Sequence, residues 1–225
     1  MPPLKRVLLS WSSGKDSAWA LYQLQQQVDV ELVGLVTTVN EVHQRVAMHA
    51  VRRSLLKKQA EAAQLPLYII NIPSPCSNTL YSQAMSNFFE TIGELGATHM
   101  AFGDLYLEEI RDYRINQLKQ TALEPLFPLW QIPTASLARK MLINGLKAKL
   151  TCIDPKKLTS SFAGREYNLS FLADLPETVD PCGENGEFHT FAYDGPMFSQ
   201  PVKLVLGEVI ERDGFIFADL LEDIQ

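Results

Sequence analysis

The sequence predicts an α/β protein in which a parallel sheet carries helices on both faces and is followed by a smaller α+β lobe. Three observations predict it. Short β-branched apolar runs alternate with helical patterns through the first half of the chain, which is how a parallel sheet is written. A loop rich in hydroxyl groups separates the first apolar run from the first helix. After residue 123 the texture changes to closely spaced prolines and later to strand-like runs joined through Asp213-Gly214.

The first strand is expected over residues 6–10, followed by an amphipathic helix reaching about residue 27, a strand over 31–39 and a helix over about 48–63. A strand at 67–72 precedes a helix over about 79–95. Its Leu80, Ala84, Phe88, Ile92 and Leu95 recur at helical spacing and so read as core packing. A strand over 98–102 completes the series. The prolines near residues 131–133 mark a boundary that divides the chain into residues 1–132 and 133–225. Beyond it the pattern predicts a helix over 134–144, a strand over 148–153, a short helix over 167–172 and antiparallel strands over 188–193, 202–211 and 215–220.

The 225 residues are 46% hydrophobic and 20% charged, which is globular composition with ample core. A net charge of −6 argues against a large nucleic-acid footprint, and Arg52, Arg53, Lys57 and Lys58 read as a solvated helix face. No leader pattern or bilayer-length apolar run is present, so a cytoplasmic location and no membrane partner are expected. Cys76, Cys152 and Cys182 are too few and too far apart for a disulfide framework or a C-x-x-C metal site.

The loop after the first strand reads Ser10-Trp11-Ser12-Ser13-Gly14-Lys15-Asp16-Ser17. Leu9 stands where a Walker loop needs its first glycine and Asp16 where it needs a hydroxyl. A strand-to-helix turn of this kind still collects unpaired N–H groups and a positive dipole end at one spot. The hydroxyls of Ser10, Ser12, Ser13 and Ser17 and the charge of Lys15 add to it. A polar capped turn without a ligand is the competing reading. In parallel sheets the ligand lies at the carboxyl ends of the strands. There this loop, Thr37 with the residues up to Arg45, and Gly103-Asp104 are expected to converge on a nucleotide.

The second constellation is D-P-C-G-E-N-G-E-F-H-T-F, residues 180–191. Gly183 and Gly186 bracket Glu184 and Asn185, and alternation along a starting strand predicts that Glu187 and His189 share a face. Such a cluster could hold a cation, bind ammonium or move a proton; a polar hairpin turn is the alternative.

Together these motifs, with Gln44-Arg45-Val46 and Pro128-Leu129-Trp130, resemble the diphthine-ammonia ligase family over nearly the whole chain. That family is a branch of the PP-loop ATP pyrophosphatases, with an adenine-nucleotide-binding domain of the HUP type. The departure is Ser13, where the superfamily has glycine; a positive φ there would cost a serine about 1 kcal/mol. The resemblance implies that ATP adenylates a carboxylate, pyrophosphate leaves and ammonia displaces AMP. Ser10, Ser12, Ser13, Gly14, Lys15, Asp16, Ser17, Thr37, Gly103 and Asp104 would bind ATP, with Mg2+ at Asp16 and Asp104. Gln44, Arg45 and Asn185 would contact substrate, and Lys15, Glu184, Glu187 and His189 would be catalytic. In the namesake enzymes the acceptor carboxylate is carried on a translation elongation factor, and a homodimer is compatible with the chain. On this reading the two motifs divide the labour, and Glu187→Gln should leave ATP binding nearly intact. The rivals are an RNA thiolation enzyme, which would need reactive cysteines, and a nucleotide-sensing module without chemistry.

Overall fold

The structure, a computed structural model, describes residues 3–41, 45–46, 51–73 and 75–223. Its first part runs β1 (Lys5–Ser10), α1 (Lys15–Gln25), β2 (Val30–Asn40), β3 (Arg45–Val46), α2 (Arg53–Ala63), β4 (Leu67–Ile72), α3 (Asn78–Thr91), β5 (His99–Ala101), α4 (Glu108–Leu118) and β6 (Glu124–Leu126). Strands β4, β2, β1, β5 and β6 lie side by side in that order, all parallel, and the two-residue β3 pairs antiparallel with the end of β2. The chain builds outward from β1 on one side, then returns to its other side for β5 and β6. Strand order therefore reverses between β1 and β5, where α/β sheets open a crevice for ligands.

The second part runs α5 (Thr134–Ile143), β7 (Lys147–Ile153), α6 (Leu169–Asp174), β8 (Phe188–Asp194), β9 (Leu204–Arg212) and β10 (Phe215–Glu222). Its sheet is antiparallel, in the order β8, β7, β10, β9. The predicted α/β fold class with a second α+β part is what the chain adopts.

Helix α1 differs from expectation. It buries Lys15, Ser17, Ala18, Trp19, Ala20, Leu21 and Leu24, residues on nearly every side of the helix. A helix covered all round belongs inside a protein. One apolar cluster accordingly joins Val7, Leu9 and Trp19 to Phe188 and Phe191 of β8. At the same seam the fully buried Gln59 of α2 accepts from Trp11 Nε1 (2.9 Å) and donates to the carbonyls of Ser13 (3.0 Å) and Ala192 (2.6 Å).

Three elements have no counterpart in the pattern, one of them the two-residue β3. Helix α4 buries only Leu118, so it lacks an apolar period, and β6 is three residues long with a proline inside. Helix α2 starts at Arg53, because Arg52 is extended at its N-cap, and residues 48–50 of the predicted helix lie outside the described residues. Among the described residues no helix is long and apolar enough to cross a membrane.

Candidate active site

The loop between β1 and α1 is held by its own hydroxyls. Ser12 Oγ accepts from the Gly14 amide (3.3 Å) and donates to Ser17 Oγ (3.2 Å), which in turn donates to the Gly14 carbonyl (3.0 Å). Gly14 is the N-cap of α1, with no side chain capping it. Ser13 has φ 72°, so a left-handed conformation that favours glycine is imposed on a serine here. Its side chain is fully buried, and its Oγ has no hydrogen-bond partner among the described residues.

Gly103, after β5, presses against this loop. A Cβ there would lie 3.1 Å from both the Asp16 carbonyl carbon and the Ser17 nitrogen, so a side chain would make the first turn of α1 give by a few tenths of an ångström.

The segment 180–190 closes the other side, and it grips the β1–α1 loop directly. Thr190 Oγ1 accepts from the Lys15 amide (3.0 Å), and the Ala192 amide donates to the Ser13 carbonyl (2.9 Å). The Lys15 ammonium donates to the Cys182 carbonyl and to Asp16 Oδ2 (2.8 Å), and lies 5.4 Å from the Phe188 ring centroid and 5.6 Å from that of Tyr167. Two carboxylates shape the segment from within. Asp180 Oδ1 accepts from the amides of Cys182 (2.8 Å) and Glu184 (3.3 Å), while its Oδ2 accepts from Thr134 Oγ1 (2.6 Å). Glu187 Oε1 accepts from the Asp180 amide (3.1 Å) and Asn185 Nδ2 (3.1 Å), and its Oε2 from the Asn185 amide (2.9 Å).

That geometry corrects the expected shared face of Glu187 and His189. Strand β8 begins at Phe188, so Glu187 still belongs to the turn and strand alternation does not reach it. Its carboxylate is buried as a brace of the loop, while His189 lines the cleft.

The result is one cleft of about 250 Å³ at the switch point. Ser10, Ser12, Lys15, Asp16 and Ser17 form one wall, Gly103 and Asp104 a second, and Glu184 and His189 a third. Ser13, Gly14, Thr37, Asn185 and Glu187 stand outside that wall; Asn185 accepts from the Tyr106 hydroxyl at 3.1 Å instead. Gln44 and the Arg45 side chain lie outside the described residues. The sequence reading passed over Cys182, Phe188 and Thr190 of the cleft wall, and Arg114 with them. The first three were visible inside the 180–191 motif; Arg114 sits on α4, whose lack of apolar period hid the helix itself.

Burial sets the charges. The Glu184 carboxyl is pushed up to about 7, first by burial and then by the neighbouring charges of Asp16 and Asp104, against the pull of the Leu105 amide (3.0 Å to Oε1) and Lys15. Burial likewise raises Asp104, with Arg114 opposing, and Asp16, with Lys15 opposing. Burial works against the charged form of Lys15, but Asp16, Cys182 and Glu184 outweigh it and hold the ammonium protonated. The thiols of Cys152 and Cys182 are each pushed up to about 12 by burial. No group of three His, Cys, Asp or Glu side chains suited to a metal occurs among the described residues. A Mg2+ shared with phosphates needs only one or two carboxylates, and Asp16 Oδ1, buried without a hydrogen-bond partner among the described residues, fits that demand.

Fold and cleft define an α/β protein with a parallel sheet whose switch-point cleft is closed by an acidic loop from a second sheet. Residues 5–122 match the diphthamide synthase N-terminal domain and residues 134–217 the diphthamide synthase C-terminal domain, so the chain belongs to the diphthamide synthase family. It is 28% identical to the diphthine–ammonia ligases of Mus musculus and Homo sapiens, in each case over 95% of this chain and 88% of the relative. Against the diphthine–ammonia ligase of Schizosaccharomyces pombe it is 32% identical over 43% of this chain and 17% of that protein.

Proposed function

We propose that this chain is an ATP-dependent ligase that adenylates a carboxylate and transfers the acyl group to ammonia, with diphthine on an elongation factor as the acceptor. The observation that carries the reading is the single cleft in which a hydroxyl-lined loop with a protonated lysine faces a carboxyl tuned to about 7. In the first half-reaction an acceptor carboxylate oxygen attacks the α-phosphorus of ATP and pyrophosphate leaves. Lys15 and the hydroxyls of Ser12 and Ser17 stabilise the charge that builds on the leaving group. Asp16 and Asp104 would hold Mg2+, which supplies further charge neutralisation to the phosphates when bound.

In the second half-reaction ammonia attacks the acyl carbon and AMP leaves. Ammonium must first lose a proton, and Glu184, ionising near neutrality at the cleft wall, is the base suited to take it. Asp180 and Glu187 position that loop without touching reactants. We take residues 1–132 as the nucleotide-binding part and 133–225 as the part that completes the ammonia site. Cys152 and Cys182, held near 12 by burial, do not supply the thiolate that RNA thiolation requires, which leaves that rival only the exposed Cys76.

The test is product analysis with ATP, Mg2+, ammonium and a diphthine-bearing elongation factor. AMP and pyrophosphate formed in step with amide are expected. ADP as product, or ATP left unchanged, overturns the reading; turnover with a small carboxylic acid alone would keep the ligase and replace its acceptor.

A further inference from the structure

We propose that Arg111 and Arg114 form a carboxylate-binding subsite on the α4 side of the cleft, and that the acceptor of the ligase reaction proposed above docks there. The two residues stand three apart on α4 and so share one side of the helix. What holds them is a ladder of rings. The Arg114 guanidinium carbon lies 5.1 Å from the Phe102 ring centroid, and that of Arg111 lies 4.9 Å from Trp130 and 5.5 Å from Phe127. Phe102 stacks on Phe127 at 5.6 Å, and Phe127 meets Trp130 at 5.9 Å. Stacking fixes the plane of a guanidinium while leaving the donors along its edge available.

Those donors are short of partners. The Nε atoms of both arginines are buried and make no hydrogen bond among the described residues. The one carboxylate near either of them there is Asp104, whose Oδ2 stands 3.5 Å from Arg114 Nε, too far for a strong hydrogen bond. Buried charged donors left unpaired are costly, and an incoming anion would satisfy them. Arg114 reaches the cleft wall, so the anion would arrive beside the phosphate-type loop.

Local charge selects which anion. Lys15 and the serine hydroxyls on another wall of the cleft already provide for a polyanion such as pyrophosphate, which leaves Arg114, beside Asp104, for an anion of smaller charge. A monoanion with two coplanar oxygens matches the arginine fork. The Pro128-Leu129-Trp130 motif then has a task, as the platform under Arg111.

The inference rests on the ligase reading, and two arms keep the two apart. In the first, exchange of label between pyrophosphate and ATP is driven by a diphthine-bearing elongation factor at saturating ATP, using the full chain. Losing one charge-assisted contact in Arg114→Met should raise the acceptor KM about ten- to a hundredfold. Arg114→Lys should recover only part of this, and Arg111→Met should act in the same direction. The ATP dissociation constant should stay within about twofold in all three. In the second arm, phenylglyoxal labels Arg114 in the wild-type chain, read by peptide mass spectrometry; butyrate should slow labelling and inorganic pyrophosphate should not. ATP affinity that falls while the acceptor KM holds, or protection by pyrophosphate alone, assigns the pair to the phosphates and overturns the proposal, as does absence of protection by either. If the wild type shows no exchange, the ligase reading fails while butyrate protection still decides the subsite.

Discussion

At the scale of single residues, Glu184 makes the sharpest claim. Its carboxyl is raised from 4.5 to about 7, so the fold favours the neutral acid. The stability this provides is full below the unfolded value and is lost as pH rises through about 7. Glu184→Gln should therefore flatten part of the decline in melting temperature between about pH 4.5 and 7. It should also remove an ascending limb near neutrality from the pH profile of amide formation and slow that step by about 10²- to 10⁴-fold. A profile unchanged in shape would take Glu184 out of proton transfer. Ser13 offers a second test, because its φ of 72° and its buried hydroxyl, without a partner among the described residues, both penalise serine. Ser13→Gly should gain about 1 kcal/mol of stability, or about 2–4 °C in melting temperature. If that hydroxyl meets a phosphate, ATP affinity falls in the same variant, which calorimetry would register.

At the scale of elements, the 180–190 segment and the β1–α1 loop behave as one unit. Glu187 receives three hydrogen bonds, and glutamine can offer only one acceptor oxygen in its place. Glu187→Gln should cost about 1.5–3 kcal/mol, the worth of a hydrogen bond to a charged group, and weaken ATP binding together with amide formation. This reverses the outcome expected from strand alternation alone. Intact ATP affinity with a selective loss of amide would restore the division of labour. Gly103→Ala tests the same junction from the β5 side: with backbone atoms of Asp16 and Ser17 at 3.1 Å from the new Cβ, the first turn of α1 must give by a few tenths of an ångström, and ATP affinity should fall.

At the scale of the whole molecule, the two sheets share a core across α1 and are pinned by Gln59. Heating should give one cooperative transition in calorimetry, not two, and Gln59→Ala should lower it by the cost of stranding the Trp11 N–H and the Ser13 and Ala192 carbonyls, about 2–4 kcal/mol in sum. Two separate transitions would mean that the seam contributes little.

Much of this architecture was legible in the chain. Strand β4 begins and ends where its apolar run does, and most of the other elements expected from pattern appear within a few residues of their predicted limits, because hydrophobic period and turn residues act locally. The positive φ at Ser13 was foreseeable from one departure in a motif. Helix α4 was not, since an exposed helix with one buried residue carries no apolar period, and Arg111 and Arg114 stayed hidden with it. By itself the sequence determined the α/β class, the hydroxyl-rich loop after β1 and the chemical groups of the 180–191 segment, all of which are written in contiguous residues. Only the tertiary structure decided that Glu184 faces the cleft while Glu187 turns inward, and that Lys15 is gripped from 167 residues away by the Cys182 carbonyl. Those outcomes depend on packing and desolvation between distant segments, and no local pattern encodes how much water a carboxylate loses.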